Sequence, residues 1–223
     1  LTRPELAVLL STAKLAIQDA AEDGRLGADP LMDDELLAAF PQAMAVAHRD
    51  AILSHQLRNE IVATKVANRL VNRMGLIHPF ELAEEEGVGM ADVAEAFVVA
   101  ERLFDLPALW ERIDSEPMPE AVRIGLYGEV ALELRAHMAD LIRNSVADRS
   151  LAQCVADLSP GIALLDRQSE RLLRPAGREA ADAFARRLED QGTPVDLARS
   201  IVHLAEVDGA VGIVSLATRT GTD

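Results

Sequence analysis

Apolar residues at the start of the chain recur with the spacing of an amphipathic helix. Intervals of four, three and four positions separate Leu6, Leu10, Ala13 and Ile17. This spacing places the four side chains on one face of an α-helix. Thr2 and Glu5 form the pattern of a capping box, in which each side chain bonds to the backbone of the other. The sequence therefore predicts a helix that begins directly after Thr2.

Two longer stretches, 42–74 and 120–144, have helical periodicity throughout. The first ends at Gly75, a typical residue after a helix, and at about 1.5 Å per residue it would extend about 40 to 50 Å. A break near His48 is compatible with the pattern. Apolar residues from Val122 to Ile142 give the second stretch its buried face. We expect these two helices to dominate the architecture.

The remaining periodic segments are shorter. They cover 33–40, 80–86, 90–105, a turn or two around Trp110, 151–158, 162–173, 178–190 and 194–207, with Thr193 as the N-cap of the last. No stretch alternates apolar and polar residues for long enough to build a sheet. The sequence thus predicts an all-α fold, a multi-helix bundle with two long helices. We expect a helical domain over 1–145 and a smaller helical segment over 146–223, with one single domain as the alternative.

Two segments of the chain, one of them near its end, are similar to each other, and we call this similarity the sequence echo. Phe80 to Gly87 resembles Ile213 to Gly221 in its apolar positions, and the first copy is followed by a helix, whereas the second copy is followed by the end of the sequence. A helix pair without its second member would leave an apolar face uncovered. Residue 1 is also a leucine. We therefore expect that the chain was cut from a longer protein and that a further segment follows, with an accidental similarity as the alternative.

Charge and composition exclude several classes of partner. The formal charge is −15, from 37 acidic and 22 basic residues, so the protein as a whole repels a phosphate backbone and no nucleic-acid partner is expected. No apolar run reaches the roughly 18 residues that a membrane span requires, so no membrane partner is expected either. A single cysteine, Cys154, is compatible with a reducing compartment. We therefore expect a cytoplasmic protein.

Residues 82–94 have the spacing of a helix-turn-helix, with a glycine turn between two short helical segments. The second segment carries Asp92, Glu95 and Glu101 behind three consecutive glutamates, and only Arg102 is available to meet phosphates. Because phosphate contacts dominate affinity for DNA, this charge pattern disfavours DNA binding. A packed pair of helices is the preferred interpretation.

Recognisable catalytic and metal-binding motifs are absent from the sequence. None of the five histidines follows a glutamate by three positions, and no His-Glu-x-x-His occurs. Glu133 and His137 share a helix face, and we interpret them as a solvated pair. Gly87-Val88-Gly89 lacks the third glycine of a dinucleotide fingerprint, because residue 92 is Asp. No catalytic residue, no cofactor-binding residue and no metal ligand is therefore assigned to this chain.

A polar stripe on the first long stretch needs an explanation. Thr64, Asn68 and Asn72 follow at intervals of four, with Arg73 beside them. Asparagine is disfavoured in the middle of a helix, so two of them suggest side chains that bond to another element. We expect this stripe to have a structural role that fixes the long helix against its neighbour. A ligand or a contact between subunits is the alternative.

Three segments resemble a known family. They are Leu1-Thr-Arg-Pro-Glu-Leu-Ala, the run Ala63-Thr-Lys-Val-Ala-Asn-Arg-Leu-Val-Asn-Arg73, and Ala91-Asp-Val-Ala-Glu-Ala-Phe97 followed by Leu103 to Trp110. The chain is similar in these strings to the C-terminal helical region of the large bacterial NAD-specific glutamate dehydrogenases. The similarity is densest over 1–145.

The resemblance implies an oxidoreductase that converts L-glutamate to 2-oxoglutarate and ammonia with NAD as cofactor. In that family the catalytic domain lies upstream, so this chain alone would be inactive and would support the catalytic domain and a homo-oligomer. A free-standing helical adaptor or regulatory protein that binds a protein partner is the alternative. An acidic DNA-binding repressor is a third interpretation.

Overall fold

The computed structural model describes residues 2–144 and 149–221, and within these ranges the chain is helical with no strand. The predicted all-α fold is therefore confirmed. Two short 3₁₀ turns, Leu26–Ala28 and Pro30–Met32, follow the first helix. The α-helices are α1 (Arg3–Asp23), α2 (Asp33–Leu37), α3 (Gln42–Ala47), α4 (Arg49–Leu53), α5 (Arg58–Met74), α6 (Ile77–Glu86), α7 (Met90–Leu103), α8 (Leu106–Ser115), α9 (Glu120–Asn144), α10 (Leu151–Leu172), α11 (Pro175–Asp190), α12 (Val195–Glu206) and α13 (Ala210–Thr220).

The ends of several helices lie where local signals predict them. The capping box of α1 is confirmed, since the Thr2 amide donates to Glu5 Oε2 over 2.6 Å and the Glu5 amide donates to Thr2 Oγ1. Helix α9 covers the predicted 120–144. Gly87 and Gly221 both adopt left-handed backbone angles at the ends of α6 and α13. The two copies of the sequence echo therefore end in the same way, with the residue that tolerates this conformation best.

The helix predicted over 42–74 breaks at His48, where the sequence pattern allowed a break, and again at residues 54–57, where the predicted continuity is wrong. In a continuous helix the Leu57 amide would donate to the Leu53 carbonyl. Instead that amide donates to His55 Nδ1 over 3.1 Å, and Arg58 Nη1 donates to the Leu53 carbonyl over 3.2 Å. The Leu57 amide and the Leu53 carbonyl therefore both have hydrogen-bond partners although the helix is interrupted. The surviving α5 has 17 residues and is about 25 Å long.

The predicted stop at Pro160 is also wrong, since α10 continues through it. A proline inside a helix removes one backbone hydrogen bond and costs about 3 kcal/mol. Leu158 and Ile162, on either side of Pro160, are buried, and Gly161 lies against Val214 of α13. Packing on both sides of the proline therefore outweighs the cost of the missing bond.

Thr193 does not cap α12 as predicted. The residue in the N-cap position is Pro194, and no side chain bonds to the first turn. The Thr193 hydroxyl is buried and has no hydrogen-bond partner in the described part of the chain. Its amide donates to the Leu188 carbonyl over 3.1 Å, so the backbone of Thr193 belongs to the end of α11.

The chain divides into two compact units. Unit 1 consists of Leu1–Val99 and Val146–Cys154, and unit 2 consists of Ala100–Ser145 and Val155–Asp223. The domain boundary predicted at 145/146 falls on residues 145–148, which lie outside the described residues, and it stays a prediction.

In unit 1, α1 packs along α5. The buried side chains include Ile17 and Ala21 of α1 and Val62, Val66 and Leu70 of α5. Arg58 at the start of α5 donates to the carbonyls of Gly27 and Asp29 and to Asp33 Oδ1. This guanidinium thereby holds the 3₁₀ turns and the first residue of α2 on the end of α5.

In unit 2, α11 and α12 form a hairpin, and α9 packs against α8, α12 and α13. The core contains Leu134 and Met138 from α9, Leu197 and Ile201 from α12, and Val211 from α13. Ion pairs join exposed edges of these helices, as between Arg187 Nη1 and Glu129 Oε1 at 2.7 Å.

Candidate functional site

The predicted polar stripe lies on α5, with Asn68 and Asn72 exposed. Thr64 Oγ1 donates to the Glu60 carbonyl over 2.7 Å, and Asn68 Nδ2 donates to the Thr64 carbonyl over 2.9 Å. These two side chains therefore bond within their own helix. Asn72 reaches another element, since Lys14 Nζ of α1 donates to Asn72 Oδ1 over 3.3 Å. The structural role of the stripe stays a prediction.

The stripe lines an open cleft of about 520 Å³ in unit 1, formed by Glu35, Lys65, Asn68, Arg69, Asn72 and Arg73. Glu35 Oε1 accepts from Arg69 Nη1 over 2.9 Å and lies 3.6 Å from Lys65 Nζ. The Arg69 guanidinium also lies over the Phe97 ring, 5.9 Å from its centre. The cleft is therefore polar and its charges are largely paired within the protein.

A second cavity, which we call the Arg112 cavity, lies in unit 2 and has a volume of about 500 Å³. Part of its wall is apolar and consists of Leu109, Ile162, Leu204 and Val207, all of which are buried. Polar side chains line the rest, namely Arg102, Asp105, Arg112, Ser159, Asp166, Ser200 and His203. An apolar wall with a few converging polar groups is the usual composition of a ligand site.

Arg112 is held in place by a hydroxyl. Its Nη1 donates to Ser200 Oγ over 2.6 Å, and Ser200 Oγ in turn donates to the Asp196 carbonyl over 2.9 Å. The Nε and Nη2 groups of Arg112 have no acceptor among the described residues. Arg102 is exposed and forms no ion pair with a described residue. The cavity thus contains two guanidinium groups with N–H donors that have no acceptor among the described residues.

His203 lies on the cavity wall between two carboxylates. Its Nε2 bonds to Asp166 Oδ1, and its Nδ1 lies 3.0 Å from Glu206 Oε2. Burial by itself lowers the pKa of His203, but the hydrogen bonds and charges of Asp166 and Glu206 outweigh burial and raise the pKa above 6.5. Folding therefore favours the imidazolium form of His203 relative to the unfolded chain.

Asp105 carries the single left-handed backbone conformation of a non-glycine residue in the described chain, with φ 47° and ψ 42°. It lies on the cavity wall, directly before α8. A non-glycine residue in this region is strained, and strain of this kind is concentrated at ligand clamps and active sites. Asp105 lies between the end of α7 and the start of α8.

His137 is buried, so the interpretation of Glu133 and His137 as a solvated pair is wrong. The His137 side chain is 1% exposed and stacks on Phe104, which directly follows α7, with ring centres 3.9 Å apart. Burial lowers the pKa of His137, against smaller opposing effects of the Leu204 carbonyl and the charges of Asp208 and Asp140. The ring is neutral at pH 7, and its Nε2–H donates to the Leu204 carbonyl over 2.9 Å. Residue spacing alone does not reveal which helix covers this face of α9.

The second helix of the helix-turn-helix pattern is α7, and most of its residues are buried. Glu95 and Glu101 are only 6% and 3% exposed. Glu95 accepts from the backbone amide of Arg25 over 3.0 Å and pairs with its guanidinium. The interpretation as a packed helix agrees with this burial, because Glu95 and Glu101 lie inside the protein, whereas Asp92 is exposed.

The described residues show no arrangement typical of hydrolytic or metal catalysis. Ser200 and His203 share a helix, but the hydroxyl donates to a backbone carbonyl and both imidazole nitrogens face carboxylates. No group of three or more His, Cys, Asp or Glu residues in the described chain has the geometry to hold a metal ion. What the Arg112 cavity offers is binding, through cationic donors and an apolar wall.

In the described part of the chain, no single helix is long and apolar enough to cross a membrane. The bent pair Val195–Glu206 and Ala210–Thr220, with 44° between the two helices, meets the length and composition criteria together. Leu197, Ile201 and Val211 of this pair are buried in the core.

The fold and the two cavities are those of an all-α domain. The chain belongs to the family described as "Glutamate dehydrogenase, C-terminal", which it matches over residues 1–223. The family resemblance of the three sequence segments is therefore confirmed.

The relatives include the NAD-specific glutamate dehydrogenases of Halomonas elongata and Pseudomonas aeruginosa, which are 31% and 30% identical over 99% and 100% of this chain. The enzyme of Mycobacterium tuberculosis is 29% identical over 89% of the chain. The chain spans only 14%, 14% and 12% of the lengths of these three relatives.

Proposed function

We propose that this chain is the C-terminal helical segment of an NAD-dependent glutamate dehydrogenase, which oxidises L-glutamate to 2-oxoglutarate and ammonia in amino-acid catabolism. The rest of the parent polypeptide binds NAD and carries the catalytic residues. This segment is inactive by itself and stabilises the catalytic domain and the homo-oligomer of a cytoplasmic enzyme. The family match over the whole chain, together with its small share of each relative, supports this division of labour.

The N-terminal half of α1 is the surface that we assign to contact with the rest of the parent. Every residue from Thr2 to Thr12 is exposed. Leu6, Val8, Leu9 and Leu10 are between 39% and 65% exposed, and they lie on several sides of the helix. Leu6 and Leu10 belong to the face predicted to be buried. Contiguous exposed apolar surface of this kind marks a site of interaction.

The occupant that we propose for this helix is an upstream part of the same polypeptide. The relatives have roughly six times as much sequence outside the matched region as within it, since the match covers about one seventh of their length. A segment of the same chain is present at high effective concentration, so it covers the helix without a separate partner. A second copy of the chain is the competing occupant, and the experiment below distinguishes the two.

The activity of the parent is tested by measuring glutamate-dependent NAD reduction on this chain and on the intact polypeptide that contains it. We expect activity and NAD binding in the intact polypeptide and neither in the 223-residue chain. Activity or NAD binding by the chain alone would contradict the proposal. An intact polypeptide without glutamate-dependent activity would contradict it as well.

The docking role of α1 is tested with Leu9→Glu in the intact polypeptide. Leu9 is 47% exposed and lies outside the buried core, so the substitution removes less packing than one at a core leucine. We expect activity and the oligomer to be lost at a temperature at which the unsubstituted enzyme is stable. Leu132→Glu on α9, where Leu132 is 54% exposed, is the matched control. Equal behaviour of the two variants would refute the docking role, and concentration-dependent dimers of the isolated chain that Leu9→Glu abolishes would identify the second copy as the occupant.

A further inference from the structure

We propose that the Arg112 cavity of unit 2 is a binding site for a small organic carboxylate with an apolar body. Its volume of about 500 Å³ lies within the range of sites that enclose small molecules. The inference is independent of the proposed role of the chain in the parent enzyme. It rests on how the cavity distributes charge, donors and apolar surface.

The charged end of the cavity suits a carboxylate. The guanidinium of Arg112 is oriented by Ser200, which takes one donor of Nη1 and leaves Nε and Nη2 without an acceptor in the described chain. Those two groups form the planar edge that binds a carboxylate through two parallel hydrogen bonds. Arg102 adds a second positive charge on the same cavity. Two such groups in one cavity are notable in a chain with a formal charge of −15.

The acidic groups of the cavity do not neutralise the positive charge of Arg112. Asp166 is paired with His203, so its charge is balanced inside the wall. Asp105 is exposed to solvent at the start of α8. Water screens the exposed charges of Asp105 and Arg102 alike, whereas the hydrogen bond that fixes the orientation of Arg112 leaves this group prepared to bind an anion.

The apolar wall favours a ligand with a hydrocarbon body. Leu109 and Leu204 contribute side chains that are buried but still line the cavity, as does Ile162. A methylene group that moves from water onto such a wall raises the affinity by about fourfold. A purely inorganic anion would use the arginines and leave this wall in contact with water. The combination therefore selects an amphipathic monocarboxylate over phosphate.

Direct binding measurements with butanoate, hexanoate and octanoate test the proposal. We expect saturable binding at one site per chain, with the affinity rising about fourfold per methylene until the cavity is full. Inorganic phosphate and 1-hexanol, which carry only the charge or only the hydrocarbon, should bind at least tenfold more weakly than hexanoate. Absence of saturable hexanoate binding, or binding of phosphate as tight as that of hexanoate, would overturn the proposal.

Three variants locate the site. Arg112→Lys keeps the charge but removes the planar edge, and it should weaken hexanoate binding about tenfold or more. Ala163→Met places a larger side chain in the cavity from an exposed position on α10 and should abolish binding without removing a protein contact. Arg186→Lys, at an exposed position on α11 outside the cavity lining, is the matched control for exchanging arginine for lysine. Hexanoate affinity that Arg186→Lys lowers as much as Arg112→Lys, or that survives Ala163→Met, would refute the site.

Discussion

The carboxylate of Asp29 caps the N-terminus of α10 through the backbone amide of Leu151, which lies 122 positions later in the sequence. The amide donates to Asp29 Oδ2 over 2.6 Å, and the Ala152 amide donates to Oδ1 over 3.1 Å. Oδ1 also accepts from the Leu31 amide over 2.9 Å. Asp29 is 5% exposed, so one buried side chain bonds both to the 3₁₀ turn at Leu31 and to the first turn of α10.

Asp29→Ala should lower the free energy of unfolding by about 2 to 3 kcal/mol, because a cap is lost and the buried Leu151 amide is left without a partner. Asp29→Asn retains an acceptor and should lose less. Urea unfolding followed by circular dichroism measures both changes. Asp19→Ala, an exposed site on α1, removes the same charge and should stay within about 0.5 kcal/mol of the unsubstituted chain. If Asp29→Ala and Asp19→Ala unfold at the same urea concentration, the cap has no energetic role.

Gly161→Ala should destabilise unit 2 by about 1 to 3 kcal/mol. A Cβ at this position would lie 2.6 Å from Val214 Cγ1 and 2.7 Å from Cγ2, so α10 and α13 would have to move apart. Gly125→Ala on α9 is the matched control, since no atom lies within 4 Å of its Cβ and alanine is the better helix former. Thermal unfolding should therefore shift in opposite directions for the two variants, and a shift in the same direction would contradict the close approach.

His137 should make the protein less stable in mild acid. Burial lowers the pKa of His137 in the folded state below the value near 6.5 of the unfolded chain. The unfolded chain therefore binds more protons, and the stability that is complete above pH 6.5 falls as the pH drops through 6.5, by at most about 1.4 kcal/mol per pH unit. His137→Gln should flatten this part of the curve of unfolding free energy against pH. An unchanged slope between pH 7.5 and 5.5 would show that the ring does not titrate in this way.

His203 should act in the opposite direction. The pKa of His203 is raised in the folded state, so its contribution to stability is complete below pH 6.5 and is lost as the pH rises through the folded pKa. His203→Gln should therefore cost more stability at pH 6 than at pH 8.5. Asp166→Asn, which removes the charge of one partner, should reduce the same difference. Measurement of the unfolding free energy at both pH values tests the sign, and a cost that grows with pH would contradict it.

Sequence signals between neighbouring residues were sufficient to predict many of the helices. The capping box at Thr2 and Glu5, the periodicity of 120–144 and the glycines that end α5, α6 and α13 each depend on residues a few positions apart. Such interactions are encoded in the order of side chains along one helix. The family could be recognised from the sequence for a related reason, because strings such as Ala63–Arg73 are contiguous along the chain.

Only the tertiary structure decided which polar groups meet and which apolar faces are covered. At the break before Arg58, the side chains of His55 and Arg58 bond to a backbone amide and a backbone carbonyl that a continuous helix would pair with each other. Helix α10 continues through Pro160, and the next residue, Gly161, lies against Val214 of α13. Gly27 is required because the Cα of Asn59 would lie 2.7 Å from any added Cβ, although 32 positions separate the two residues. The burial of His137 and the formation of the Arg112 cavity likewise depend on helices that are distant in sequence. A periodic pattern specifies that a helix has a face, but the energy that selects its neighbour comes from contacts formed when the chain folds.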